Sequence, residues 1–281
     1  MKINIRDLQE MKSSGEKITM LTAYDAPTAR LLDENGVDII LVGDSLGNVI
    51  LGFDNTLSVT MADMIHHTSA VVRSVKRSLV IFDMPFMSYQ TCVEDAVRNA
   101  GRAVKETGCN MVKLEGGSRY AETVKAIVES GIPVCAHLGL TPQSVNMIGY
   151  KVQGKQYRDA KQILDDSLAL QQAGASMVVY ECLPWKLAQV LTEKLDMITI
   201  GIGAGSYCDG QVLVFHDMIG INSNKTPKFV KKFADANKVM KKGVKQYISE
   251  VKSVAYPSSE YTFSIEDEVI EKLLGQSSEK N

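Results

Sequence analysis

The chain has 281 residues, 45% hydrophobic and 23% charged, a size that suits one large α/β domain. Its 31 basic and 33 acidic residues leave a net charge of −2, which speaks against a general affinity for nucleic acid. No apolar run approaches the roughly 18 residues of a membrane span, and the opening MKINIRDLQEMKSSGEK has no apolar centre of the kind a secretory signal needs.

Short apolar runs alternate with longer helical patterns. In chain order, strands are expected to begin near Ile18 (ITMLT), Asp38 (DIILVG), Leu79 (LVIFD), Met111 (MVKLE), Ile132 (IPVCAH), Ser176 (SMVVYE), Met197 (MITIG) and Gln211 (QVLVF). Each is apolar nearly throughout rather than alternating, as in strands buried on both faces. Helices are expected over 25–35, before Gly36; over 60–76, with Thr60 as cap and Asp63 completing a capping box; and over 91–107, before Gly108. Further helices are expected over 118–130, capped by Ser118; over 157–173, before Gly174; and over 184–193, with Pro184 at the first helical position.

Eight strands in the repeating order strand, loop, helix, glycine predict an α/β (β/α)₈ TIM barrel. One such domain is expected over 1–281, with a lysine-rich helical tail from about 226. About ten residues separate the last two strands, too few for a full helix. Two loops, 43–59 and 138–156, are long for this fold and follow strand ends, where barrel active sites lie. The five cysteines, at 92, 109, 135, 182 and 208, are odd in number and form no CxxC, so neither a disulfide framework nor a zinc knuckle is expected. A reducing, cytoplasmic setting fits them.

The strand ends carry the chemistry. The second strand ends in Gly43-Asp44-Ser45, the third in Asp83, the fourth in Glu115 with Lys113 inside it, the fifth in His137 and the sixth in Glu181. A lone acid after a strand is commonly a helix cap. Asp83, Glu115 and Glu181 have no adjacent capping task, Ser118 being taken as the cap after Glu115. Clustered carboxylates repel unless a cation or proton is shared, and an all-oxygen set suits Mg²⁺ or Mn²⁺. An acid left off the metal could abstract a proton; Glu181, furthest round the ring from Asp44, is the candidate. Lys113 is expected as a charged ammonium rather than a Schiff-base amine, because neighbouring acids raise its pKa. His137 is expected to contact substrate or to make a structural hydrogen bond. His66 and His67 are adjacent on a helix and make an improbable metal pair. GIGAG at 201–205 lacks the downstream helix of a dinucleotide site.

The stretches LTAYDAPTA (21–29), VGDSLGNVILG (42–52), DMPFMSY (83–89), VKLEGG (112–117), AHLGLTPQS (136–144), GIGAG (201–205) and CDGQVLVFHDMIG (208–220) resemble the ketopantoate hydroxymethyltransferase family. The resemblance implies a barrel of the phosphoenolpyruvate/pyruvate superfamily. It implies transfer of a hydroxymethyl group from 5,10-methylenetetrahydrofolate to 3-methyl-2-oxobutanoate, one Mg²⁺ per subunit, and a homodecamer. It places Asp44, Asp83 and Glu115 around Mg²⁺, the keto acid on Asp44, Ser45, Asp83 and Lys113, and the proton on Glu181. Tyr180 departs from the aliphatic residue expected before Glu181, which bears on packing behind the base. Two other readings compete: a carbon–carbon lyase of the isocitrate lyase-like group, whose KKCGH-like motif is absent, and a catalytically silent binding barrel, which would be expected to have lost strand-end acids.

Overall fold

The computed structural model describes residues 2–221 and 226–275. The chain forms two compact units, Met1–Phe233 and Ala234–Asn281. In the first, parallel strands β1 (Ile18–Thr22), β2 (Ile39–Val42), β3 (Leu79–Asp83), β4 (Met111–Glu115), β5 (Val134–Gly139), β6 (Met177–Glu181), β7 (Ile198–Ile202) and β8 (Gly210–Leu213) close into a barrel in sequence order. Its helices are α1 (Ile5–Ser14), α2 (Ala26–Glu34), α3 (Leu46–Val49), α4 (Met61–Val72), α5 (Val93–Thr107), α6 (Ala121–Glu129), α7 (Val145–Ile148), α8 (Tyr157–Gln172), α9 (Trp185–Lys194) and α10 (Phe215–Met218). The second unit carries α11 (Ala236–Lys252) and α12 (Asp267–Leu273). The second unit begins at Ala234, so residues 226–233 of the expected tail belong to the first unit, and the last residues, 276–281, lie outside the described ones.

The continuous apolar runs are explained by two cores that share the strands. Met20, Leu41, Ile81, Met111, Met177 and Ile200 fill the barrel interior, and Leu8 of α1, fully buried, joins them. Their neighbours Ile40, Val42, Phe82, Leu114 and Tyr180 face outward to meet Leu32, Met64, Ala100, Val124 and Leu170 of the helices. Strands β2, β3 and β4 are buried at every position. Strands β1 and β8 instead alternate, with Thr19 and Gln211 exposed. For β8 the cause is the short 203–209 connection, which holds no helix to cover that face, as its length predicts.

Local chemistry sets the helix ends. Thr60 and Asp63 form the expected capping box, and Asp25 caps α2 by accepting from the Thr28 N–H. Gly108 closes α5 at φ 77°, a left-handed position that suits glycine. Two expected caps are corrected. Ser118 begins a 3₁₀ turn (Ser118–Tyr120) and makes no capping bond; instead its N–H donates to Asp166 on α8, 2.8 Å away. Pro184 sits one position earlier than expected, as the cap residue with extended ψ of 131°, and α9 begins at Trp185. Both long loops contain a short helix, α3 and α7.

The N-terminal end of the barrel is stapled by acids, two of which stand immediately before strands. Asp38 accepts the Thr19 N–H (2.9 Å) and hydroxyl (2.7 Å) and returns its own N–H to that hydroxyl (3.1 Å). Asp209 and Thr199 repeat the pattern at 2.8, 2.9 and 3.1 Å. Asp33 accepts the N–H groups of Lys76, Arg77 and Ser78, and the Ser78 hydroxyl. Lys12 of α1 crosses this floor to donate to the Met197 carbonyl (3.1 Å) and to Asp209 (2.8 Å).

Candidate active site

At the opposite end, one cavity of about 190 Å³ is lined by Asp44, Ser45, Asp83, Lys113, Glu115, His137 and Glu181. All seven are residues that the strand ends point to. Sheet register brings them together: Asp83 pairs with Lys113 across β3 and β4, Glu115 with His137 across β4 and β5, and Gly139 with Glu181 across β5 and β6. Gly139 holds φ 96°, and a Cβ there would collide with the Glu181 carbonyl, so only glycine allows β5 to approach the candidate base this closely.

The Lys113 ammonium donates to Asp83 Oδ1 at 2.7 Å and lies 3.7 Å from Glu115 Oε1. The Asp44 N–H donates to the other Asp83 oxygen at 3.2 Å. His137 bridges two acids: Nδ1 is 3.1 Å from Glu115 Oε1, and Nε2 is 3.3 Å from Glu181 Oε2, an ion-pair contact outside hydrogen-bond geometry. Ser45 Oγ is 2.8 Å from the hydroxyl of buried Tyr24. Tyr180, the departure before Glu181, points away from the cavity; its hydroxyl meets Ser167 on α8 at 2.7 Å, so its polar end is satisfied within the outer core.

Burial and neighbouring charges in this crowded mouth perturb Asp44, Asp83, Lys113, Glu115 and His137. Asp44 is raised well above the usual carboxylate range by desolvation and then by the charges of Asp83 and Glu115. Asp83 is raised by burial, which Lys113 only partly offsets. For Glu115 burial pushes up, but His137 and Lys113 together hold the group low. Burial alone would lower Lys113; Asp83, Glu115 and Asp44 outweigh it and keep the side chain an ammonium, as expected. His137 is pushed up to about 9 despite burial and the Lys113 charge, because Glu115 and Glu181 favour the imidazolium.

Three contributors were not singled out from the sequence. Asp217, after β8, adds a fifth carboxylate to the cavity wall. Gln143 and Tyr89, from loops, bond to the acids: Gln143 donates its N–H to Glu115 Oε2 (2.9 Å) and its side-chain amide to Asp44 Oδ2 (3.0 Å), while Tyr89 accepts the Glu115 N–H (3.0 Å). Asp217 stands inside the quoted 208–220 stretch and Gln143 inside 136–144, but neither ends a strand.

Comparison with known proteins separates the readings that geometry leaves open. A family model described as ketopantoate hydroxymethyltransferase matches residues 2–259. The chain belongs to the ketopantoate hydroxymethyltransferase family. Proteins named 3-methyl-2-oxobutanoate hydroxymethyltransferase are similar to it over nearly full length. That of Clostridium botulinum (strain Langeland) is 56% identical over 97% of this chain and 100% of its own. That of Acetivibrio thermocellus is 56% identical over 94% of both, and that of Syntrophomonas wolfei 52% over 97% and 99%. Among solved structures, a phosphoenolpyruvate phosphomutase from Streptomyces platensis shares the fold at TM-score 0.61 and 12% identity, covering 97% of this chain and 96% of its own. A 2,3-dimethylmalate lyase does so at 0.58 and 13%, over 98% and 95%. These two likenesses speak to the barrel alone, and the family match decides against the lyase and silent-barrel readings.

For a family member, the charge of the mouth is the informative quantity. Five carboxylates line the cavity against two cationic side chains, Lys113 and His137. The excess is negative, the donors are oxygens, and Asp44 is the acid least comfortable as an anion. A hard dication fits that set. The acids are also held by internal hydrogen bonds, and among the described residues no group of three or more His, Cys, Asp and Glu stands arranged around a metal position. Both Glu115 oxygens are engaged, one by His137 and one by Gln143.

Proposed function

We propose that this chain forms ketopantoate by transferring a hydroxymethyl group from 5,10-methylenetetrahydrofolate to 3-methyl-2-oxobutanoate, through an enolate made when Glu181 removes the C3 proton. Family membership carries the reaction class. The observation that carries the assignment of residues is the single acidic mouth in which Lys113, three buried acids and the Glu115–His137–Glu181 row converge.

Asp44 and Asp83, with the charge of Glu115, would hold one Mg²⁺. A dication there supplies Lewis-acid stabilisation of an enolate oxygen, worth several kcal/mol. Lys113 adds a fixed positive charge on the same side, and Ser45, steadied by Tyr24, offers a hydroxyl to the keto acid. The His137 imidazolium faces the Glu181 carboxylate at 3.3 Å and orients it toward the cavity. With Glu115 on its other nitrogen, His137 stays placed as Glu181 becomes neutral. Most of these groups are buried, so water competes little for the enolate.

The test is C3–H exchange of 3-methyl-2-oxobutanoate in D₂O, followed by NMR with Mg²⁺ and again with a chelator. Exchange should be metal-dependent. Glu181→Ala should lose about 10²–10⁴-fold of it while still binding Mg²⁺. Absence of exchange in the wild type would sink the enolate mechanism, and full exchange in the variant would move the base elsewhere.

The five free cysteines suit a reducing, cytoplasmic setting, and no described helix is long and apolar enough to cross a membrane. The family resemblance implies a homodecamer; self-association of some kind is supported by α11, whose Val239, Val244, Tyr247, Ile248 and Val251 are all exposed. Light scattering checks it: a ten-chain mass is expected.

A further inference from the structure

We infer that Gln143 is a positioning residue that fixes which oxygen Asp44 turns toward the cavity. The inference rests on the proposed role of Asp44 in holding the cation. Gln143 lies in a 3₁₀ turn, Pro142–Ser144, of the loop after β5, yet its side chain is buried beneath the mouth. Its amide nitrogen donates to Asp44 Oδ2 (3.0 Å) and to the Met84 carbonyl (2.9 Å). Its amide oxygen accepts from the Tyr89 hydroxyl (2.7 Å) and the Gln90 amide (3.1 Å). Both hydrogens and both lone pairs are therefore used.

The orientation of the amide is over-determined. Turned over, it would set its oxygen against a carboxylate and a carbonyl, and its NH₂ against the Gln90 NH₂. Tyr89 reinforces the choice. Its oxygen already accepts the Glu115 N–H, and its one hydrogen has Gln143 at 2.7 Å against the Glu115 carbonyl at 3.2 Å. A directed chain results, Tyr89 to Gln143 to Asp44, in which each group donates to the next.

Two consequences bear on the cation. Gln143 engages only Oδ2, so Asp44 Oδ1 is the oxygen left to a ligand. The donor is also neutral: a lysine or arginine at this position would neutralise Asp44 and repel a dication, whereas an amide orients the carboxylate and leaves its charge intact. The Gln143 N–H on Glu115 Oε2 ties the same turn to β4, so one residue sets two acids relative to each other.

The test uses the full-length protein and calorimetric titration with Mg²⁺ in the presence of 3-methyl-2-oxobutanoate. Gln143→Met, similar in length but without donors, should weaken Mg²⁺ binding by about 10- to 100-fold, as loss of a ligand-orienting bond does elsewhere. KM for the keto acid should rise with it, while kcat at saturating metal changes far less, because Gln143 does not touch Glu181. Tyr89→Phe leaves Gln143 present but frees its amide, and should shift both quantities the same way by a smaller factor; it also carries the test if Gln143→Met does not fold. A purely structural role would lower the melting temperature of both variants and leave Mg²⁺ affinity and KM at wild-type values, which overturns the inference. Asp44→Asn separates the two levels. If it binds Mg²⁺ like the wild type, the assignment of Asp44 fails, and the inference with it. If it loses Mg²⁺ while both other variants keep wild-type affinity, the role of Gln143 alone is refuted.

Discussion

The two ends of the barrel use the same residue type in opposite ways. At the floor, Asp33, Asp38 and Asp209 each accept at least one main-chain N–H and a hydroxyl, and two of them add a basic side chain. Burial alone would raise the Asp33 carboxyl, but the N–H groups of Ser78, Lys76 and Arg77 hold it below the usual range. At the mouth, Asp44 and Asp83 face other acids and are pushed up. Negative charge at the floor is satisfied by hydrogen bonds and basic side chains of the chain, while at the mouth five carboxylates face two cationic side chains. That division matches the general split of barrels into a stability face and a catalytic face.

The comparison can be broken by neutralising one charge at a time. The largest effect should come from Lys113→Met, which strands Asp83 and Glu115 without their buried cation. Chemical denaturation in chelator should show a loss of about 3–5 kcal/mol, partly restored by Mg²⁺. Next, Asp33→Asn should cost about 1.5–3 kcal/mol, the worth of hydrogen bonds to a charged group. Asp44→Asn should have the opposite sign and raise the melting temperature in chelator, since it removes a repelled anion. The contrast fails if both substitutions shift stability in the same direction.

Acid titration sharpens the sign. Asp33 has a lowered pKa in the fold, so its contribution is complete above the unfolded carboxylate pKa of about 4 and disappears as pH falls through the folded value. The stability gap between wild type and Asp33→Asn should therefore be flat near neutrality and close in acid. Asp44 has a raised pKa, so its penalty is full only above the folded value and is relieved as pH falls toward the unfolded one. The advantage of Asp44→Asn should shrink in the same direction. Smallest of all, Tyr180→Phe removes the bond to Ser167, for about 1 kcal/mol, and should leave turnover unchanged.

Much of the fold was readable because a strand buried on both faces has no polar alternative: β3 and β4 begin and end where their runs do. The mouth was readable because charged residues that end such runs converge wherever the strands are parallel and closed. What escaped depended on partners far along the chain. Ser118 looks like a cap, yet Asp166, 48 residues later, takes its N–H. Gln143 looks like an ordinary loop residue, and only the fold brings Asp44 to it from 99 positions away. The floor staples were hidden for a similar reason: Asp38 and Asp209 precede strands, and their threonines belong to the strand before.

The reach of Lys12 has a consequence for how the molecule is made. Its partners lie 185 and 197 residues downstream. Synthesis at about 5–20 residues per second puts roughly 10–40 s between the emergence of the helix and that of the acid that anchors it. Throughout that interval Leu8 has no finished barrel floor to enter, and the growing ring keeps an open strand edge. The ring cannot close until β8, residues 210–213, has also emerged, so the anchoring of α1 to the floor is among the last contacts to form.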